Sequence, residues 1–145
     1  MLLAKKRRIN VKFISYQLPL HLKALNNFTM SDKLTNLNYL NELAEGDTDF
    51  VKDMIETFIE NTPELIDQMK SELSNSEYLA VGQTAHKIKP TITFMGISSL
   101  EELIREIEHK GKNSEDIDSI PSLVQKLENT CNLAYDELKV ALETI

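Results

Sequence analysis

His86 is the side chain in this sequence whose setting suggests chemistry. It stands in the run AHKIKPTITFMG, from Ala85 to Gly96. Lys89 is three residues on and therefore a neighbour on a helix surface, and Lys87 flanks the ring about a quarter turn away. Two ammonium groups repel a metal ion, but they suit an imidazole that is to carry a negatively charged group, and phosphate is the obvious candidate. An ordinary imidazole, with a pKa of about 6.5, is mostly uncharged at pH 7, and its free nitrogen is a nucleophile. No carboxylate lies three or four residues from His86 to orient it. The chain also lacks a Gly-rich phosphate loop and a metal-binding HExxH pattern, so a hydrolase is disfavoured. His21, between Leu20 and Leu22, has no comparable setting. His109 falls near the end of a helical stretch, where a partly cationic ring suits the helix dipole.

The element that must position His86 is a helix. Val81, Ala85, Ile88, Ile92 and Met95 recur at three- and four-residue steps, which gives one buried stripe. His86 lies just off that stripe, in a strip it shares with Leu79, Gly82, Pro90 and Thr93. A partner can approach it closely there. Pro90 has no N–H, so the carbonyl four residues back, that of His86, loses its helical bond at a cost of about 3 kcal/mol. Water can meet that carbonyl only if the face is exposed, and Pro90 therefore argues for an exposed His86.

The remaining elements read as helices too. Leu34, Leu37, Leu40, Leu43 and Ala44 form a short first stripe that Gly46 is placed to end. Asp47 or Thr48 caps a long second helix with Val51, Met54, Ile55, Phe58, Thr62, Leu65, Ile66, Met69 and Leu73 inward, and Pro63 is expected to bend or split it. Asn75 or Ser76 is the expected cap of the histidine helix, and Gly96 its end. Ser98 and Glu101 have capping-box spacing and open a fourth helix, with Leu100, Leu103, Ile104 and Ile107 inward, that Gly111 is expected to close. Lys112 to Ser119 reads as a charged loop. Pro121 suits the first turn of a last helix whose stripe is Leu123, Val124, Leu127, Cys131, Ala134, Leu138, Ala141 and Leu142. The fold class is therefore all-α, an antiparallel four-helix bundle with a short extra N-terminal helix laid across one end.

Composition supports one helical domain: the chain has 145 residues, 41% of them hydrophobic, with only four glycines and four prolines. Its single cysteine, Cys131, excludes an intrachain disulfide and reads as a small core residue. Residues 1–29 carry +6 (Lys5, Lys6, Arg7, Arg8, Lys12, Lys23) and no acid, so the rest of the chain carries −13 of the net −7. An acidic body excludes phosphate-backbone binding, so no nucleic-acid partner is expected. No stretch is long and apolar enough to span a bilayer. Residues 1–29 read as a weakly ordered basic extension or a misassigned start, with a basic arm for a membrane or an acidic partner as the alternative. The domain proper is then 30–145.

From about Leu37 to Glu108 the chain resembles the histidine phosphotransfer (HPt) domains of multistep two-component phosphorelays. The residues that carry the resemblance are His86, Lys89 and Gly96, while Pro90 stands where the family usually has glycine. The resemblance implies a cytoplasmic, monomeric phosphoryl carrier with no kinase activity of its own and no cofactor, any Mg²⁺ being held by the partner. It further implies that His86 accepts a phosphoryl group from the aspartate of a response-regulator receiver domain or hybrid sensor kinase and passes it to another receiver. Lys89 would contact the phosphoryl oxygens and Lys87 would add positive field. Gln83, three residues before His86, would hydrogen-bond the ring or the phosphate. Sensor-kinase phosphoacceptor helices look similar, but there an acid follows the histidine and proline comes at the fifth position, not the fourth. The alternative from another class is a non-phosphorylated helical interaction module that docks through the same face.

Overall fold

A computed structural model describes residues 33–145; the expectations for residues 1–29 lie outside the described residues. Among the described residues the regular elements are helices only: α1 (Asn38–Ala44), α2 (Thr48–Ser74), α3 (Tyr78–Phe94), α4 (Ser98–Asn113) and α5 (Ile120–Leu142), with a 3-10 turn at Ile117–Ser119. The apolar stripes become the core. Ile55, Phe58, Met69, Val81, Ala85, Ile88, Ile92, Ile104, Ile107, Leu127, Cys131 and Leu138 are fully buried. The neighbours close into a ring, with α2 packed on α3 and α5, and α4 packed on α3 and α5. The short α1 lies against α2.

Several boundaries differ from the sequence expectation, and α1 starts at Asn38 rather than at Leu34, because residues 34–36 are instead bonded to Glu137 and to the end of α3. Pro63 does not split α2, which runs unbroken for 27 residues. Phe58 and Thr62 on one side of it and Ile66 and Met69 on the other are all buried, and that burial outweighs one lost backbone bond. Neither Asn75 nor Ser76 caps α3. Ser76 instead takes a left-handed turn (φ 58°) that ends α2, and the cap position falls to Glu77. The Ser98 capping box is not made either, because Ile97 holds the cap position and is fully buried there. Burying that side chain is worth more than a cap bond of about 1 kcal/mol. Finally, α4 runs past Gly111 and ends where Ser114 turns left-handed (φ 51°).

Other expectations hold. Asp47 caps α2 by accepting the Phe50 N–H at 3.0 Å, and proline occupies the first turn of α5. Gly96 turns the chain after α3 at φ +60°. There its N–H reaches the Thr93 carbonyl at 3.1 Å, and the Ile97 N–H reaches Ile92 at 3.1 Å, the paired bonds of a Schellman ending. Cys131 is a core residue, and burial pushes its thiol up to about 12, so it is inert at neutral pH.

Two polar devices fix helices against each other. Glu137 on α5 accepts the Leu34 N–H (2.9 Å), the Thr35 N–H (3.0 Å) and the Thr35 hydroxyl (2.9 Å), tying down the segment before α1. That segment is also bonded to the end of α3 through Asn36 N–H and the Met95 carbonyl at 3.0 Å. Between α2 and α3, buried Glu72 accepts the Thr84 hydroxyl on both oxygens (3.0 and 2.9 Å) and the Gln68 amide at 2.7 Å. This network fixes the rotation of α3 two residues before His86.

Gly96→Ala should destabilise the protein by about 2–4 kcal/mol, because the left-handed backbone penalises a side chain and the new Cβ would clash with the Asn36 carbonyl oxygen. Gly46→Ala, at φ +93° with nothing within 4 Å of the added Cβ, should cost only about 1–2 kcal/mol. Urea unfolding of the two variants checks this, and equal losses would contradict the close approach at Gly96.

Candidate functional site

His86 sits in the middle of α3 with its side chain 60% exposed, just off the buried stripe of Ala85, Ile88 and Ile92 on the side that faces α4. The next helix supplies what its own helix lacks. Nδ1 of His86 lies 2.6 Å from Oε1 of Glu108 on α4. The same carboxylate accepts the Lys89 ammonium on Oε2 at 2.7 Å and the Lys112 ammonium on Oε1 at 2.7 Å. Only 13% of the Glu108 side chain is exposed.

This arrangement decides the chemistry of the ring. Desolvation pushes the Glu108 carboxyl up, but hydrogen bonds from Lys112, Lys89 and His86 overcome it and hold the group down at about 2. At neutral pH it is therefore a carboxylate and can only accept, so Nδ1 must be the protonated nitrogen. In the neutral ring the lone pair then belongs to Nε2, and none of the described residues hydrogen-bonds that nitrogen. An exposed imidazole with one nitrogen tied back and the other carrying its lone pair toward solvent is a positioned nucleophile.

Of the residues expected to act with His86, Lys89 is beside it, but its ammonium is bound to Glu108 in this structure. Lys87 is exposed and makes no ion pair among the described residues. Gln83 is exposed one turn before the ring and makes no hydrogen bond to it. It lines a shallow cleft with Tyr78, Leu79 and Ser114 instead. The expectation that no carboxylate orients the histidine holds within α3 and fails across the helix pair. A signal for Glu108 was present, since His86 and Glu108 stand equally far on either side of Ile97, at the turn that joins α3 to α4. In an antiparallel hairpin such residues come opposite each other. Lys112, four residues after Glu108, has the favourable Glu-to-Lys spacing on one helix. His109 points elsewhere, to Glu115 at 3.1 Å.

Residues 53–141, more than half of the chain, match the family model described as Hpt domain. The chain belongs to the Hpt-domain family. The match spans most of α2 and all of α3 and α4, and ends within the last turn of α5, leaving α1 outside. No curated protein and no solved structure gives a match. Hpt domains are phosphocarriers in two-component systems rather than kinases, and they interact with receiver or kinase domains. In this Hpt domain no described helix is long and apolar enough to cross a membrane. No group of three or more His, Cys, Asp or Glu among the described residues could hold a metal ion.

Because the Glu108 carboxyl is held below its ordinary range, its bonds stabilise the fold above a pH of about 4.5 and are lost as pH falls from there toward 2. Glu108→Gln should therefore lower stability by about 1 kcal/mol at pH 7, allowing for solvent screening of the lysines, and by nothing measurable at pH 2. Parallel urea titrations at the two pH values check this. A difference that persists at pH 2 would show that the carboxylate's charge is not what stabilises.

Proposed function

We propose that this Hpt domain is a phosphorelay intermediate that accepts a phosphoryl group on Nε2 of His86 from a receiver-domain aspartate and passes it to the aspartate of another receiver. The observation that carries this reading is the exposed ring whose Nδ1 is held by Glu108 at 2.6 Å. The four long helices are read as the antiparallel phosphotransfer bundle with α1 laid across one end, supported by the ring of contacts that joins them. The protein is read as a monomer working in the cytoplasm, with receiver domains or a hybrid kinase as partners.

The chemistry asks little of the carrier beyond placement. The Nε2 lone pair attacks phosphorus, the bond from phosphorus to the aspartyl oxygen breaks, and the receiver's carboxylate departs with the electron pair. Positive charge then develops on the ring. Glu108, ionised and bonded to Nδ1–H, opposes that charge and keeps the ring from turning, as a buried acid does for a catalytic histidine elsewhere. Transfer to the second receiver is the same step reversed, with Nε2 as leaving group. Mg²⁺ and the charged groups that activate the aspartate belong to the receiver.

Lys89 and Lys112 both stand on the carboxylate beside the ring. When a phosphoryl group with two or more negative oxygens is attached to Nε2, these flexible side chains can share themselves between the carboxylate and the phosphoryl oxygens. Lys87, exposed on the next quarter turn, adds positive field to an acidic body and eases the approach of a negatively charged donor site. Gln83 has a place in this reading as a contact to the phosphoryl group or to the docked receiver.

Mixing the full chain with a receiver domain phosphorylated with labelled phosphate should move label onto this protein in a form stable in alkali and labile in acid. His86→Gln should abolish it. Lys89→Ala should slow transfer by about 10-fold and Glu108→Gln by about 10- to 100-fold, while Lys87→Ala should cost about 3-fold or less. Absence of label on the wild-type chain would leave a helical interaction module. Equal and complete loss in both lysine variants would overturn the roles given to them.

A further inference from the structure

Two helical glycines, Gly82 near the start of α3 and Gly111 in the last turn of α4, meet beside the His86–Glu108 pair. A Cβ placed on Gly82 would lie 2.7 Å from the Lys112 backbone nitrogen, 2.8 Å from Lys112 Cγ and 2.9 Å from the Glu108 carbonyl oxygen. One placed on Gly111 would lie 2.6 Å from the Gly82 nitrogen and 2.7 Å from the Tyr78 carbonyl oxygen. Neither glycine has a positive φ, so the turn-forming freedom of glycine is not the reason for either. Glycine is costly in a helix interior, and here it permits backbone to touch backbone. The crossing is in register with the site. Gly82 lies one turn before His86 on α3, and Lys112 lies one turn after Glu108 on α4, so the glycine contact and the 2.6 Å hydrogen bond are successive rungs of one antiparallel helix pair.

We infer that the Gly82–Gly111 crossing is a positioning device for the phosphoacceptor: it sets the separation of α3 and α4 at which Glu108 can hold Nδ1 and leave the lone pair on Nε2. The inference rests on the reading of His86 as the phosphoryl acceptor. An ordinary contact for a Cβ begins at 3.4 Å, so an added methyl must drive the helices apart by several tenths of an ångström. Glu108 would travel with α4, because Lys112 on its own helix holds the same oxygen that meets the ring. A hydrogen bond of 2.6 Å opened by that amount approaches the limit at which it ceases to hold one tautomer. Gly82 and Gly111 touch neither ring nor carboxylate, and they act through the distance between those groups.

Nitrogen-resolved NMR of the full chain reads the His86 tautomer directly. The wild type should show the neutral ring protonated on Nδ1. Gly82→Ala and Gly111→Ala should each shift the ring toward the Nε2-protonated form that free imidazole side chains favour, with phosphoryl transfer at least 10-fold slower. Leu138→Ala, a core truncation on α5, should lower the melting temperature while leaving the tautomer unchanged, which separates positioning from general loss of stability. An unchanged tautomer in a folded glycine variant overturns the inference. Failure of both glycine variants to fold overturns it too, because the crossing would then be a folding requirement. If the wild type accepts no phosphoryl group, the phosphorelay reading fails, while the tautomer shift still decides whether the crossing positions Glu108.

Discussion

One carboxylate organises the face of this molecule that carries His86. Glu108 receives an imidazole N–H and two ammonium groups from two helices, and the charge it keeps fixes which nitrogen of His86 carries a proton. An isolated histidine on an exposed helix face has a freely turning ring and favours the tautomer protonated on Nε2, the wrong one for attack through that nitrogen. Here one nitrogen is committed and the other is presented. The two lysines make this possible, since without them a mostly buried carboxylate would be pushed toward its neutral form by loss of hydration.

The scaffold beneath that face is built to make the α3–α4 distance hard to change. The Gly96 turn joins the two helices with minimal slack, and its Schellman bonds are locked by a buried Ile97. The glycine crossing brings the two backbones into contact. From the other side, the Glu72–Thr84–Gln68 network holds α3 against α2, so α3 is pinned by polar contacts on one flank and by direct backbone contact on the other. A phosphocarrier's transfer chemistry depends on a reacting side chain being held in place when a partner domain docks. The rigidity therefore sits where the chemistry needs it.

Tertiary packing overrode local sequence signals at identifiable places. Pro63 reads as a break, yet hydrophobic side chains before and after it belong to one buried stripe and keep α2 whole. Ser98 and Glu101 have the spacing of a capping box, but Ile97 is the residue that the core requires at that position. Gly111 reads as a helix end because glycine usually marks one, whereas here its missing side chain makes room for α3. In the first two cases a local preference worth about 1–3 kcal/mol meets the burial of large apolar side chains, and burial wins; at Gly111 the close approach of two helix backbones decides instead.

What the sequence determined by itself was set by period and by residue type. Stripes at three- and four-residue steps gave the helices and most of the core, and the run from His86 to Gly96 gave the candidate phosphoacceptor, because both are encoded within one or two turns of a single helix. What only the tertiary structure decided was the company His86 keeps. Glu108 and Lys112 lie on the following helix, the tautomer follows from their charges, and the role of Gly82 and Gly111 exists only where two helices cross. Such relations depend on the register and separation of two helices, which a single helix's periodicity leaves open and packing fixes.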